Sequence, residues 1–324
     1  MSIALNLHLG LPKCASTSLQ RVFAEQGGAR FLGKSSRRHD GLAYREAALE
    51  HLFRHTIPYA SEAKVDYDQI AELLSKSMLG DGSDDGPFLV SDELLSGCGF
   101  RNYRINHFPD PLVILYRLRR IFSPLRILVV IRNQTHFLRS YYSELVKYGY
   151  NVAFEIFAHK HLVHDAGLTN LLRYDRYLAL LSAWCDELFV VPFEALVRAD
   201  AHARTQLVAF AEIAFEQLPH SNPSGSEQEL AKRFLENRKS VHDAGRWTPL
   251  SELHATEAVI GGLNLAQTPA NLFWMSDDVR SRWEALGRSS NQKLGKMIGL
   301  DLAAYGYCGC ENNDKQRDAK RVSI

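Results

Sequence analysis

Apolar residues along the chain follow two rhythms. Short continuous runs alternate with longer stretches in which apolar positions recur every three or four residues. Ile3 to Leu9 is the first run, and it ends at the turn Gly10-Leu11-Pro12. Ser16 to Gln26 then predicts a helix opened by small hydroxyl residues. Residues 33–66 read as polar and irregular, apart from a helical stretch from Leu42 to His55. Asp68 to Met78 predicts a helix, and 80–86, GDGSDDG, predicts a loop. Phe88 to Val90 is a short buried strand that runs into Ser91-Asp92-Glu93. After Pro109 a helical stretch is expected as far as Arg126, followed by Ile127 to Ile131, the most hydrophobic strand of the chain. Further helices are predicted over roughly Thr135 to Tyr148, Tyr174 to Cys185, Ala201 to Ala214 and Leu230 to Asn237. Leu188 to Val191 is another strand, and 221–227 is a loop.

Strands that are continuously apolar, and that alternate with helices, imply a parallel sheet covered on both faces. The fold class is therefore α/β, with a central parallel sheet flanked by helices. Residues 1–310 read as one domain with helical insertions. The polar segment 311–324 reads as a flexible tail.

Composition narrows the function classes. Lys plus Arg is 38 and Asp plus Glu is 37, giving a net charge of +1. No global field recruits nucleic acid or an anionic membrane. No apolar run approaches the roughly 18–20 residues that span a bilayer. The apolar N-terminal run has no basic flank before it and no small-residue cleavage site after it, unlike a signal peptide. The five cysteines, Cys14, Cys98, Cys185, Cys308 and Cys310, are scattered. That argues against a disulfide framework and for a reducing cytoplasm. The Cys308/Cys310 pair has no partner pair at zinc spacing, so no metal is expected.

The first candidate for chemistry is the segment from Gly10 to Leu19, between the first strand and the first helix. Helix amides there point outward with the positive end of the dipole, which suits a phosphate. Lys13 adds a mobile charge, and Ser16, Thr17 and Ser18 supply hydroxyls. The ATP/GTP loop does not fit, because no second glycine precedes Lys13. The run PKCASTSLQ resembles the 5′-phosphosulfate loop of the sulfotransferases that use 3′-phosphoadenosine 5′-phosphosulfate (PAPS). That loop is usually Pro-Lys, a hydroxyl residue, Gly or Ala, then two hydroxyl residues. Cys14 stands where Ser or Thr is usual, and could still offer its amide. The Ala-Ser pair in the middle is similar to the uronyl 2-O-sulfotransferases in particular. The resemblance implies a P-loop-type three-layer sandwich. It also implies that Lys13 contacts the bridging oxygen of the phosphosulfate, while Gly10, Cys14, Ala15, Ser16, Thr17 and Ser18 hold the 5′-phosphate.

A second segment, ILVVIRNQTHFLRSYYSELVKYG at 127–149, delivers Arg132 at the carboxyl end of a strand, where open α/β sheets bind ligands. Ser140 follows on the next helix. A guanidinium and a hydroxyl can grip one phosphate from two sides. Sulfotransferases resemble this pattern: a strand-end Arg followed by Ser, holding the 3′-phosphate. Gln134 replaces the usual Pro, which alters the turn but no ligating group. The run FVVPFEALV at 189–197 also resembles this family, with Glu194 in a structural place.

Transfer needs a base near Lys13. Glu93 is the first candidate and Asp92 the second, both following the strand Phe88 to Val90. The same two residues could instead cap and favour a helix start. His107 is a rival, since the uronyl enzymes use histidine in that region. FLVSDE also imitates a magnesium-binding strand, which keeps open an ATPase or kinase using Asp92 and Glu93. A non-catalytic nucleotide-binding protein is a third possibility. Arg238 and Lys239 could reach the 3′-phosphate, or form a solvated cluster. The basic run KSSRRH at 34–39 could receive an anionic glycan, or be a polar loop. By resemblance to bacterial carbohydrate sulfotransferases, the cosubstrate is PAPS, the product 3′-phosphoadenosine 5′-phosphate (PAP), and the partner a small-molecule or glycan acceptor.

Overall fold

The computed structural model describes residues 3–34, 44–79, 86–97, 109–163, 172–214, 216–219, 226–244 and 272–307. Five strands, β1 (Ile3–Leu9), β2 (Phe31–Gly33), β3 (Phe88–Ser91), β4 (Phe122–Ile131) and β5 (Glu187–Pro192), form one sheet in the order β2-β3-β1-β4-β5. Every pairing between these strands is parallel. The α/β class with helices around a central parallel sheet is thus the observed architecture.

The central strand shows why the apolar runs are continuous. Leu5, Leu7 and Leu9 are fully buried on one set of positions, and Asn6 and His8 are buried on the alternate set. Both faces are covered, so neither set can be polar without a partner. Each buried leucine is worth roughly 1.5–3 kcal/mol. α1 (Ser16–Gln26) lays Phe23 against Phe31 and Phe210.

The chain falls into two compact units: Met1–Gln134, Gly167–Ser221 and Glu284–Ile324 make the first, and Thr135–Ala166 with Asn222–Trp283 the second. The first holds the sheet and α1. It also holds α2 (Ala47–His51), which continues through a π-helical turn into α3 (Ile57–Tyr59), and then α4 (Tyr67–Leu79). α5 (Pro111–Ile121) follows, capped by Asp110, whose carboxylate accepts from the Leu112 amide at 2.9 Å. α6 (Gln134–Lys147) starts in this unit and α7 (Phe154–Val163) lies in the other. α8 (Tyr174–Ser182), α9 (Phe193–Arg198) and α10 (Ala201–Ala211) lie in the first unit, α11 (Glu227–Ala244) lies in the second, and α12 (Asp277–Ile298) begins in the second and continues into the first. The second unit has an aromatic core of Tyr142, Phe154, Phe157 and Phe273. Within it Asn237 donates to the carbonyls of Val146 and Tyr150, at 2.8 and 3.1 Å. Among the described residues, no helix is long and apolar enough to cross a membrane.

Most expected elements stand within a few residues of their places. One boundary moves. The helix expected to run to Arg126 ends at Ile121, and β4 begins at Phe122. Pro124 is the reason: it has no amide for a helix, and it drives Ser123 to extended geometry. The strand pairs at Phe122 with Ile3, breaks register, and resumes at Leu125. β2, α7, α9 and α12 went unpredicted. The segment 311–324 lies outside the described residues.

Candidate functional site

The site is assembled where β1 ends. Leu11 to Cys14 form a tight turn, closed by the Cys14 amide donating to the Leu11 carbonyl at 3.2 Å. Pro12 sits second in that turn, where its fixed φ fits, and Lys13 sits third with φ 63°. Ala15 is also left-handed, with φ 62° and ψ 18°, as the residue before α1. Two non-glycine residues in this region store of order 1–3 kcal/mol each. Left-handed residues on either side of Cys14 form the kind of backbone pattern found in anion-binding nests. The first helical bond runs from Leu19 N–H to the Ala15 carbonyl, and no side chain caps the helix. The amides of Ser16 and Thr17 therefore have no intrahelical acceptor.

Burial alternates along the loop. Lys13, Ala15 and Thr17 are half-exposed, whereas Cys14, Ser16 and Ser18 are buried. The buried hydroxyls are engaged. Ser18 Oγ donates to the Pro219 carbonyl at 3.1 Å, and Ser16 Oγ donates to Glu93 Oε1. Cys14 turns its thiol inward and spends its amide on the turn. Gly10 has to be glycine for space alone. A Cβ there would stand 2.9 Å from Ser16 Cβ, 3.1 Å from Glu93 Cγ and 3.5 Å from His8 Cε1.

Glu93 therefore reaches the loop from β3's carboxyl end. Burial pushes its carboxyl above the usual carboxylate range, opposed by Lys34, the Ser16 hydroxyl and Lys13, and reinforced by Asp92. Lys34 follows β2 and holds Nζ 3.9 Å from Glu93 Oε2. Asp92 plays a different part. One carboxylate oxygen accepts from the Leu94 amide at 2.9 Å, capping a short 3-10 turn, and the other accepts from the Tyr44 hydroxyl at 2.8 Å. Arg54 Nε stands 3.8 Å from that second oxygen. Both oxygens of Asp92 are thus committed inside the protein, and capping describes it, not proton transfer.

Arg132 leaves β4 and turns back to the loop. Its Nη1 donates to the Lys13 carbonyl at 2.7 Å, and its guanidinium stacks on Phe193 at 4.2 Å. Tyr174 clamps the backbone behind it, donating to the Arg132 carbonyl at 2.7 Å and accepting from its amide at 3.3 Å. Burial holds the Tyr174 hydroxyl well above its ordinary value, so it stays a donor. Glu194 accepts from the Asn133 amide at 3.2 Å and the Tyr307 hydroxyl at 3.1 Å. Gln134, standing for the usual proline, exchanges hydrogen bonds with Asn291 at 2.7 and 3.2 Å.

The structure thus brings Gly10, Lys13, Ser16, Glu93 and Arg132 together. Ser140 lies half-buried on α6 in the second unit. Arg238 and Lys239 lie on α11 in the same unit. His107, the segment 35–39, and the Cys308/Cys310 pair lie outside the described residues. Sequence reasoning missed His8 and Tyr174 as site residues, and named Lys34 only within the basic run 34–39. His8 carried one legible signal, a histidine in an otherwise apolar strand; Tyr174 carried none at the level of spacing. Among the described residues, no three His, Cys, Asp or Glu side chains gather as a metal site requires.

No protein-family model matches the chain, and no curated protein matches it. Among solved structures, it is similar to the crystal structure of a sulfotransferase from Alicyclobacillus acidocaldarius. The identity is 15%, over 72% of this chain and 92% of that one, with a TM-score of 0.43.

Proposed function

We propose that this chain moves a sulfuryl group from PAPS to an acceptor hydroxyl. One observation carries the reading: Lys13 and Ala15 are left-handed in the β1–α1 loop, and Ser16, the first residue of α1, donates to the partly buried Glu93. A loop of this kind suits a doubly charged phosphate carrying a leaving group. Lys13 then meets the bridging oxygen, and the amides of the α1 start meet the 5′-phosphate. Arg132 is given the 3′-phosphate, and Ser140 is assigned to it by sequence spacing alone.

The chemistry is an in-line transfer. The acceptor oxygen attacks sulfur, the bond from sulfur to the bridging oxygen breaks, and the leaving phosphate carries away its electron pair. Glu93 takes the hydroxyl proton. Burial suits it to that work, because a base is most effective when its proton affinity approaches the working pH. Lys13 balances the charge that develops on the leaving oxygen. Carbohydrate hydroxyls are the first acceptor class to screen. A magnesium-dependent ATPase or kinase is disfavoured by Asp92, whose oxygens are held by Leu94 and Tyr44.

Calorimetry with PAP tests the reading. Binding of PAP in preference to ADP is expected, followed by transfer of label from radiolabelled PAPS to an acceptor. Equal binding of ADP, or no binding of PAP, sinks it.

A further inference from the structure

Among the described residues, buried side-chain nitrogens near the loop with no hydrogen-bond partner include Arg132 Nε and, on β1 and α1, His8 Nε2 and Gln20 Nε2. His8 is fully buried, and Gln20 is 3% exposed. His8 Nδ1 is paired with Ser91 Oγ at 2.8 Å across β1 and β3. Whichever atom holds the proton, Nε2 is left with one unspent N–H or lone pair. The neighbouring ring carbon, Cε1, lies 3.5 Å from where a Gly10 Cβ would stand, with Glu93 Cγ and Ser16 Cβ around the same point. Gln20 is one helical turn beyond Ser16, so it shares the face of α1 on which Ser16 meets Glu93. On that face, Phe23 meets the His8 ring edge-on at 5.7 Å.

A bare buried polar group costs roughly 1–3 kcal/mol, and His8 and Gln20 each carry one. A water molecule both donates and accepts, so it serves either tautomer of His8, and it needs at least two polar partners. We infer that a water molecule is bound behind Glu93, held by His8 Nε2 and Gln20 Nε2, and that through it His8 is a positioning residue for the Glu93 carboxylate. The water hydrates the carboxylate from the protein side and eases its ionisation. The ring itself stays neutral, since burial lowers its pKa to about 3. The charged groups that face Glu93 are Lys34 after β2, Lys13 in the loop, and Asp92 beside it, with the Ser16 hydroxyl from α1. The water adds a neutral donor to that set. Its catalytic meaning rests on Glu93 acting as the base.

The experiment is NMR on the isotope-labelled full chain, with no sulfuryl donor present. In the wild type, a long-lived water is expected as a cross-peak to the His8 ring, together with a neutral imidazole through the accessible pH range. His8→Phe keeps the ring's shape and its contact with Phe23 but removes both nitrogens. It should abolish that cross-peak and raise the Glu93 carboxyl titration by about one pH unit. Gln20→Leu should move it in the same direction by less. Absence of a slow water in the wild type, or an unmoved Glu93 titration in the folded variants, overturns the proposal. Should His8→Phe fail to fold, the wild-type cross-peak and Gln20→Leu decide it. The titration and the PAP calorimetry are independent, so either idea can fall without the other.

Discussion

Arg132 holds the carbonyl of Lys13 at 2.7 Å. The residue expected to grip one end of the nucleotide is thus tied to the backbone of the residue expected to grip the other. Removing it should act twice. Arg132→Ala should weaken PAP binding by about tenfold or more, since a charge-assisted hydrogen bond is worth roughly 1.5–3 kcal/mol. It should also lower the melting temperature of the unliganded protein, because the Lys13 turn loses its brace. Arg132→Lys should restore little, lacking the planar fork that stacks on Phe193. Calorimetry and thermal denaturation check the two parts separately.

The loop predicts opposite signs for two small substitutions. Ala15 is left-handed, so Ala15→Gly should stabilise the protein by about 1 kcal/mol. Gly10→Ala should destabilise it by about 1–3 kcal/mol, because its Cβ meets Ser16 and Glu93. Midpoints of chemical denaturation read both. A loss of stability in Ala15→Gly contradicts the strain assigned to that residue.

Glu93 predicts a pH dependence. Its carboxyl is raised in the folded chain, so the native state holds the proton where the unfolded state has lost it. Stability from the protonated form is complete below the unfolded carboxylate value and is lost as pH rises through the higher folded value. Glu93→Gln should therefore stabilise the protein at neutral pH, with the gain vanishing in acid. The same variant should lose turnover by about a hundredfold or more if Glu93 is the base. Denaturation at several pH values, and a pH profile of kcat/KM, are the measurements.

Asp92 is engaged by Leu94, Tyr44 and Arg54. Asp92→Ala should cost about 1–3 kcal/mol, because it strands the buried Tyr44 hydroxyl. Chelating divalent cations should leave PAP binding unchanged. Loss of binding in the chelator would return Asp92 to a metal-binding role and favour the kinase reading.

Gln134 and Asn291 should behave as a pair. Each single leucine substitution removes the exchanged hydrogen bonds and leaves the other amide buried without them, whereas the double substitution removes both amides together. A double-mutant cycle should show a coupling of about 0.5–3 kcal/mol. Additivity of the two would show that the exchange of hydrogen bonds contributes nothing.

The α/β class, β1, α1 and the loop between them are legible in the order of residues alone. Those features are local. Continuous apolar runs name buried parallel strands, and a proline before a lysine at a helix start names the turn. That order also places Glu93 and Arg132 at strand ends, because the carboxyl edge of a parallel sheet is implied once strands and helices alternate. Tertiary structure alone decided which strand ends meet. The order β2-β3-β1-β4-β5 puts β3 and β4 on either side of β1, and so brings Glu93 and Arg132 to one loop. Strand order is set by long-range packing, which leaves no periodicity to read. For the same reason the sequence could not show that Tyr174 clamps Arg132, that Lys34 faces Glu93, or that His8 keeps a nitrogen unspent beneath Gly10. Each depends on a neighbour distant in the chain, and only the folded sheet brings that neighbour near.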